Sequence, residues 1–169
     1  ITVQNDAPSN HFNTVIYTGN GGTQSLTTGF KPDLVWIKSR SDAYNHYLYD
    51  SIRGANNQLL TNSTGAESTV ADRMTSFDSN GFTVESAGSF PNQTNGSSKT
   101  YVAWNFKAGG AAVANTEGTT NSQVSVNNTL GFSIVEYTGP SALNPGHGLD
   151  GAPDLIITKG ASAVEDWYI

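Results

Sequence analysis

Apolar side chains in this sequence come in short runs of period two, separated by clusters of Asn, Gly, Ser and Thr. Such alternation is typical of strands that bury one face. In the stretch 101–106, for example, Val102, Trp104 and Phe106 fall on one face of an extended segment. The pattern therefore predicts an all-β chain.

Two stretches indicate how the expected strands are arranged in the fold. Met74 to Phe77 and Phe82 to Glu85 flank Asp-Ser-Asn-Gly, and Asn-Gly suits a tight hairpin turn. The run 34–37 is continuously apolar, as in a strand covered on both faces. We expect an antiparallel β-sandwich of the concanavalin-like or jelly-roll type.

The chain also repeats itself. Residues 12–19 are echoed by residues 132–139 at an offset of 120, and residues 32–38 by residues 153–159 at an offset of 121. Two blocks separated by almost the same spacer indicate tandem copies of one unit. The second copy is shorter, so we expect a tandem repeat whose second copy is truncated.

These boundaries divide the chain into four parts. They are an N-terminal extension (1–11), a first β-sandwich repeat (12–108), a Gly/Ala/Asn/Thr-rich linker (109–131) and the start of a second, incomplete repeat (132–169).

The second copy should form its strands where the first one does, including an apolar strand at Leu155 to Ile157 with an uncovered face. We expect that the gene continues beyond Ile169 or that a neighbouring chain supplies the missing strands. In the alternative, the tail adds strands to the first unit, and one larger domain results.

Composition excludes some partners. The chain has 8 Lys and Arg against 14 Asp and Glu, a net charge of −6, which argues against a nucleic acid partner. No segment approaches the roughly 20 apolar residues needed to span a bilayer, so no membrane insertion is expected. Cysteine is absent, and with it disulfides and thiolate metal sites.

Sequence motifs that resemble catalytic or cofactor-binding sites give only weak evidence for such sites here. Gly146 to Gly151 reads G-x-G-x-x-G, but Ala-Pro-Asp follows and no helix is predicted there to receive a pyrophosphate. His11, His46 and His147 are scattered without ligand spacing. We predict no catalytic residues, no cofactor and no metal site.

Tyrosines offer one candidate binding feature. Tyr44, Tyr47 and Tyr49 alternate along one stretch, and exposed aromatic rings can stack on sugars. They are candidate glycan contacts, and the alternative is that they fill the core of a sandwich. For Trp36 and Trp104, a place in the core is favoured.

Four motifs together resemble a known repeat domain. They are Pro-Asp-Leu-Val-Trp-Ile-Lys at 32–38, Asp-Ser-Ile-Arg-Gly at 50–54, Gly-Phe at 81–82 and Tyr-Val-Ala-Trp-Asn at 101–105. The resembled domain has no assigned function and recurs, often in tandem, in large virion-associated proteins of marine tailed bacteriophages. The residues of the structural motif are Pro32, Asp33, Trp36, Lys38, Asp50, Arg53, Gly54 and Trp104.

The resemblance implies a non-enzymatic structural protein of a phage virion, such as a tail fibre, spike or capsid-surface appendage, with a role in host attachment. It implies a virion or extracellular location. The expected partners are other virion proteins, further copies of the chain (a trimer if it is a fibre) and a host-surface glycan. The alternatives are a carbohydrate-binding module of a secreted bacterial protein and a polysaccharide depolymerase subunit.

Overall fold

The computed structural model describes residues 7–86, 93–139 and 144–169. Within these ranges the only helical element is a 3-10 turn at Pro8–Asn10. The strands, in chain order, are β1 (Phe12–Thr18), β2 (Gln24–Thr27), β3 (Leu34–Ser39), β4 (His46–Asp50), β5 (Asn57–Leu60), β6 (Ser68–Thr69), β7 (Met74–Asp78), β8 (Gly81–Val84), β9 (Thr100–Phe106), β10 (Val113–Asn115), β11 (Ser122–Asn127), β12 (Phe132–Tyr137), β13 (Thr158–Lys159) and β14 (Trp167–Tyr168).

The prediction of an all-β chain is confirmed. A six-stranded sheet has the order β1-β9-β3-β4-β5-β6, and a three-stranded sheet has the order β2-β8-β7. Every pair of neighbouring strands in both sheets is antiparallel.

One hydrophobic core lies between these two sheets, as in a β-sandwich. The six-stranded sheet contributes alternate residues of its central strands, such as Val35, Ile37 and Ala103, and the smaller sheet contributes Phe82 and Val84. All five side chains are fully buried.

The strand predicted at 34–37 is central, because β3 lies between β9 and β4. The outer face of β3 differs from the prediction that its tryptophan lies in the core. Trp36 and Trp104 are half-buried there rather than in the core, with their ring centroids 5.4 Å apart. The inner face of this sheet carries the alternate positions, so the two tryptophans lie side by side on its outer face.

The ends of β1 and β9 meet at one edge of the first unit. Phe12 pairs with Phe106 in the register, and the two rings lie 4.8 Å apart. Phe106 also stacks on Phe132 of β12, at 5.4 Å. The chain therefore enters and leaves the larger sheet at adjacent points, beside the start of β12.

The predicted β7–β8 hairpin is confirmed, with Ser79 and Asn80 in its turn. Gly81, which follows the turn, lies directly against β2. A Cβ atom at this position would overlap the carbonyl oxygen of Leu26. Glycine is needed here because two strands approach closely.

The segment 109–131, predicted to be a linker, contains β10 and β11. These strands join β12 in a three-stranded antiparallel sheet. Val124 is buried, and Ser125 Oγ donates to the carbonyl of Gly110 while it accepts the N–H of Gly109. Small residues let the backbones approach closely, so this sheet packs with few large apolar side chains.

Residues 132–169, expected to begin a second copy, form only some of the expected strands. β12 occupies the positions of β1 at an offset of 120, and β13 pairs with β14. Leu155 to Ile157, however, is not a strand, and its three side chains are 55–66% exposed. Without a neighbouring strand these residues have no ladder to join.

Replacing Gly81 by Ala should destabilise the first unit by about 1–3 kcal/mol, because the new methyl group must push β2 away. Urea unfolding measures this change in the free energy of unfolding. Gly151→Ala is the matched control, since nothing lies within 4 Å of a Cβ there. Equal stability of the two variants would contradict the close approach of β2.

Candidate functional site

The motif 50–54 forms a closed turn at the end of β4. Asp50 Oδ1 accepts the main-chain N–H groups of Ile52 at 3.1 Å and Arg53 at 2.9 Å, and Asp50 Oδ2 pairs with Arg53 Nε at 2.5 Å. Gly54 follows with φ of +97°, a conformation that favours glycine. The motif order Asp-x-x-Arg-Gly is therefore explained by turn geometry.

All three nitrogens of the Arg53 guanidinium donate hydrogen bonds within the chain. Its Nη1 donates to the carboxylate of Glu67 at 2.7 Å and to the carbonyl of Asn57 at 3.3 Å, and Nη2 donates to the carbonyl of Leu48 at 3.4 Å. These bonds connect the end of β4, the start of β5 and the segment before β6. Four of the five N–H groups of this side chain are thus used within the chain.

Asp33 is the most buried carboxylate of the motif set, with 2% of its surface exposed. Its Oδ1 accepts the hydroxyl of Ser51 at 3.0 Å. Its Oδ2 accepts the main-chain N–H groups of Ala108 at 2.8 Å and Gly110 at 3.2 Å. One carboxylate thus joins the start of β3, the end of β4 and the chain that leaves β9.

Lys38 closes the turn between β3 and β4. Its Nζ donates to the carbonyl of Ser39 at 2.6 Å and to that of Asp42 at 3.2 Å. Across the two strands, Lys38 lies opposite His46 and Ile37 opposite Tyr47. The ammonium therefore satisfies carbonyls that the turn would otherwise leave without a donor.

The same arrangement of lysine bonds recurs at the β13–β14 hairpin. Lys159 Nζ donates to the carbonyl of Gly160 at 2.7 Å and to that of Ala163 at 3.3 Å, both 121 residues beyond the first set. Lys159 lies opposite Trp167, and Thr158 opposite Tyr168, again 121 residues beyond. Register and lysine bonds thus agree between the two hairpins at a single offset.

The prediction of glycan contacts fails for two of the three tyrosines. Tyr47 and Tyr49 are 1% and 0% exposed, and both rings belong to the core. Alternate positions of β4 face inward, so these rings cannot reach a sugar. Tyr44 precedes the strand and is half-buried, and its role as a glycan contact stays a prediction.

A buried asparagine that sequence reasoning missed joins two loops. Asn95 has no exposed surface, and its Nδ2 donates to Asn20 Oδ1 at 2.8 Å and to the carbonyl of Gly22 at 2.7 Å. Its Oδ1 accepts the N–H of Asn20. The available signal was the Asn-Gly pair in each loop, which indicates a turn but not a contact between turns.

The G-x-G-x-x-G stretch is a loop laid over the third sheet. Gly146 and His147 use their carbonyls to accept the hydroxyls of Ser122 and Ser133, and no helix follows among the residues described. Across 7–86, 93–139 and 144–169, no group of three or more His, Cys, Asp or Glu side chains could hold a metal ion. In the same ranges, no helix has the length and apolar character to cross a membrane.

Comparison with known proteins gives one match. The model of a family described as a domain of unknown function, DUF7483, matches residues 7–169. No curated protein and no solved structure matches the chain.

Asp33→Asn should destabilise the chain by about 1–3 kcal/mol, because a neutral amide oxygen accepts the main-chain N–H groups of Ala108 and Gly110 more weakly than a carboxylate does. Denaturant unfolding measures the loss. Asp154→Asn is the matched control, since Asp154 occupies the corresponding position 121 residues later and is exposed; it should change stability by less than about 0.5 kcal/mol. A stable Asp33→Asn variant would contradict the role given to this carboxylate.

Buried tyrosines should make the chain unfold cooperatively at alkaline pH. Burial raises the pKa of Tyr17, Tyr47, Tyr49 and Tyr101 above the ordinary value. A raised folded-state pKa gives stability that is present below the unfolded pKa of about 10 and is lost as pH rises further.

Ultraviolet absorbance of tyrosinate, followed together with circular dichroism, measures this behaviour. Four of the seven tyrosines should ionise only as the fold is lost. Smooth ionisation of all seven before any change in circular dichroism would contradict the buried positions.

Proposed function

We propose that this chain, which belongs to the DUF7483 family of domains of unknown function, is a non-enzymatic structural component of a phage virion built from tandem repeats. The observation that carries the proposal is the agreement between the hairpins β3–β4 and β13–β14. Both have the same register and the same pair of lysine bonds at an offset of 121. The unit itself we assign to the concanavalin-like or jelly-roll sandwiches.

The exposure of the second copy favours a repeat over one larger domain. Val35 is fully buried in the first unit, whereas its counterpart Ile156 is 58% exposed. A strand that completed the first sandwich would bury Ile156. An incomplete second unit explains why the apolar stretch is present and uncovered.

The use of the motif residues supports a scaffolding role. The carboxylates of Asp33 and Asp50 and the guanidinium of Arg53 are all engaged by groups of the chain itself. Side chains committed to turns hold a shape, and recognition is then carried by exposed loops. The motifs also carry the resemblance to virion repeat domains, from which we take the virion or extracellular location.

Assembly with further copies and with other virion proteins belongs to the same proposal. Exposed apolar side chains occur on both copies, with Ile16 64% exposed on β1 and Leu155 66% exposed before β13. Surfaces of this kind are typical of contacts between proteins. We propose a homo-oligomer, which would be a trimer in a fibre.

One observation favours a second candidate, a carbohydrate-binding module. Tyr44 is half-buried in the turn before β4, flanked by the exposed residues Ala43 and Asn45. A ring held in this way can offer one face to a sugar while the rest of the side chain is fixed.

Glycan-array binding and light scattering test these proposals together. A structural repeat should give a mass above that of a monomer and no saturable glycan binding that depends on Tyr44. A carbohydrate-binding module should bind saturably and lose binding on Tyr44→Ala, while Tyr137→Ala, at an exposed tyrosine of β12, should retain it. Release of reducing ends from a host polysaccharide would instead indicate a depolymerase, and a monomer at all concentrations would count against the virion assembly.

A further inference from the structure

The loop between β5 and β6 (residues 60–67, the socket loop) holds a turn of the second copy (residues 161–167, the tail turn). The N–H of Glu67 donates to the carbonyl of Ala161 at 2.8 Å, and the N–H of Glu165 donates to the carbonyl of Thr64 at 3.0 Å. Both bonds are between main-chain atoms. The two segments therefore recognise each other's backbone.

A tryptophan completes this contact. Trp167 Nε1 lies 3.1 Å from the carbonyl oxygens of both Leu60 and Ser63, so its single N–H serves two acceptors of the socket loop. The ion pair of Glu67 with Arg53 ties the far end of the socket loop to the first sandwich. The tail turn thus sits on a loop that is itself anchored to the first unit.

The first unit carries a counterpart of the tail turn. At the offset of 121, residues 161–167 correspond to residues 40–46 (the head turn), and the lysine bonds of both hairpins close these two turns alike. The counterparts of the two main-chain groups used by the tail turn are the carbonyl of Arg40 and the N–H of Tyr44. Neither group has a hydrogen-bond partner among the described residues.

We infer that the head turn is a docking surface for the socket loop of a second copy of this chain, arranged as the tail turn is within one chain. The inference rests on the tandem-repeat part of the proposed function. A contact between two different surfaces is heterologous, so it joins units head to tail.

The chemistry of the head turn suits this partner. Main-chain bonds do not depend on side chains, so Arg40 in place of Ala161 and Tyr44 in place of Glu165 leave them available. His46 stands where Trp167 does, and burial together with Lys38 lowers its pKa. A neutral imidazole donates one N–H, as the indole does.

Within one chain the tail turn already fills the socket loop, so a second copy gains access only when the tail turn leaves. The test therefore compares the two segments that could occupy the socket loop, the tail turn of the same chain and the head turn of a second copy. Because the chain has no cysteine, the introduced cysteines are the only ones that can form disulfides.

The first measurement concerns the contact within one chain. Thr64→Cys with Glu165→Cys should give an intramolecular disulfide under mild oxidation, read as the loss of both free thiols and as a change in monomer mobility on a non-reducing gel that reductant reverses. Failure to form it in a chain with an unchanged melting temperature would overturn the inference, because the tail turn would not occupy the socket loop.

The second measurement concerns the head turn. A Thr64→Cys chain whose tail turn is released by Glu165→Pro and Trp167→Ala is mixed with a Tyr44→Cys chain. We expect cross-linked dimers at a several-fold higher yield than with a Ser79→Cys chain, whose cysteine lies in the exposed β7–β8 turn. Equal yields with the two partners would overturn the inference.

Two controls keep these outcomes separate from folding and from the proposed function. Circular dichroism should show the same strand content for the released and unreleased chains. Trp167→Phe, which keeps an aromatic ring but removes the indole N–H with the smaller ring, should also raise the cross-linking yield. Amide contacts of Lys159 with Trp167, read by nuclear magnetic resonance, test the repeat itself. The repeat can therefore stand even where the docking surface fails.

Discussion

The insertion of β9 between β1 and β3 is the pairing on which the first unit depends. β9 enters the sheet from a distant point in the chain, and closing such a long loop costs conformational entropy. Burial of Tyr101 and Ala103 opposes that cost. Asn105, also fully buried, donates to the carbonyl of Asn13 at 3.1 Å, and immediately after β9 the carboxylate of Asp33 accepts main-chain N–H groups. Long-range pairing is thus secured by polar groups at the end of β9.

Sequence patterns predicted the parts of the fold that are governed by local order. The β7–β8 hairpin has a turn signal between two apolar strands, and β3 is a continuous apolar run, so both could be recognised. The strands of 109–131 could not, because small and polar residues there leave almost no periodic apolar signal. Tyr47 and Tyr49 show a related limit, since a period of two gives the two faces of a strand but not which of them meets the core.

The motif residues could be selected from the sequence, but their contacts could not. Asp50, Arg53 and Gly54 have turn spacing, whereas the bonds of Asp33 to Ala108 and Gly110 join residues more than seventy positions apart. The spacing of residues in the sequence does not predict such long-range contacts. The buried Asn95 has the same character, because its partners lie in a loop at the opposite end of the first unit's sequence.

The meeting of Phe12 and Phe106 at one edge has a mechanical consequence. In the tandem array that we propose, tension would be applied to both ends of the sandwich at the same corner, and it would separate β1 from β9 one residue pair at a time. Only a few hydrogen bonds resist peeling of this kind at any moment. In shearing, by contrast, all hydrogen bonds between the two strands bear the force together. The corner where the chain enters and leaves is therefore where each unit would yield first under load.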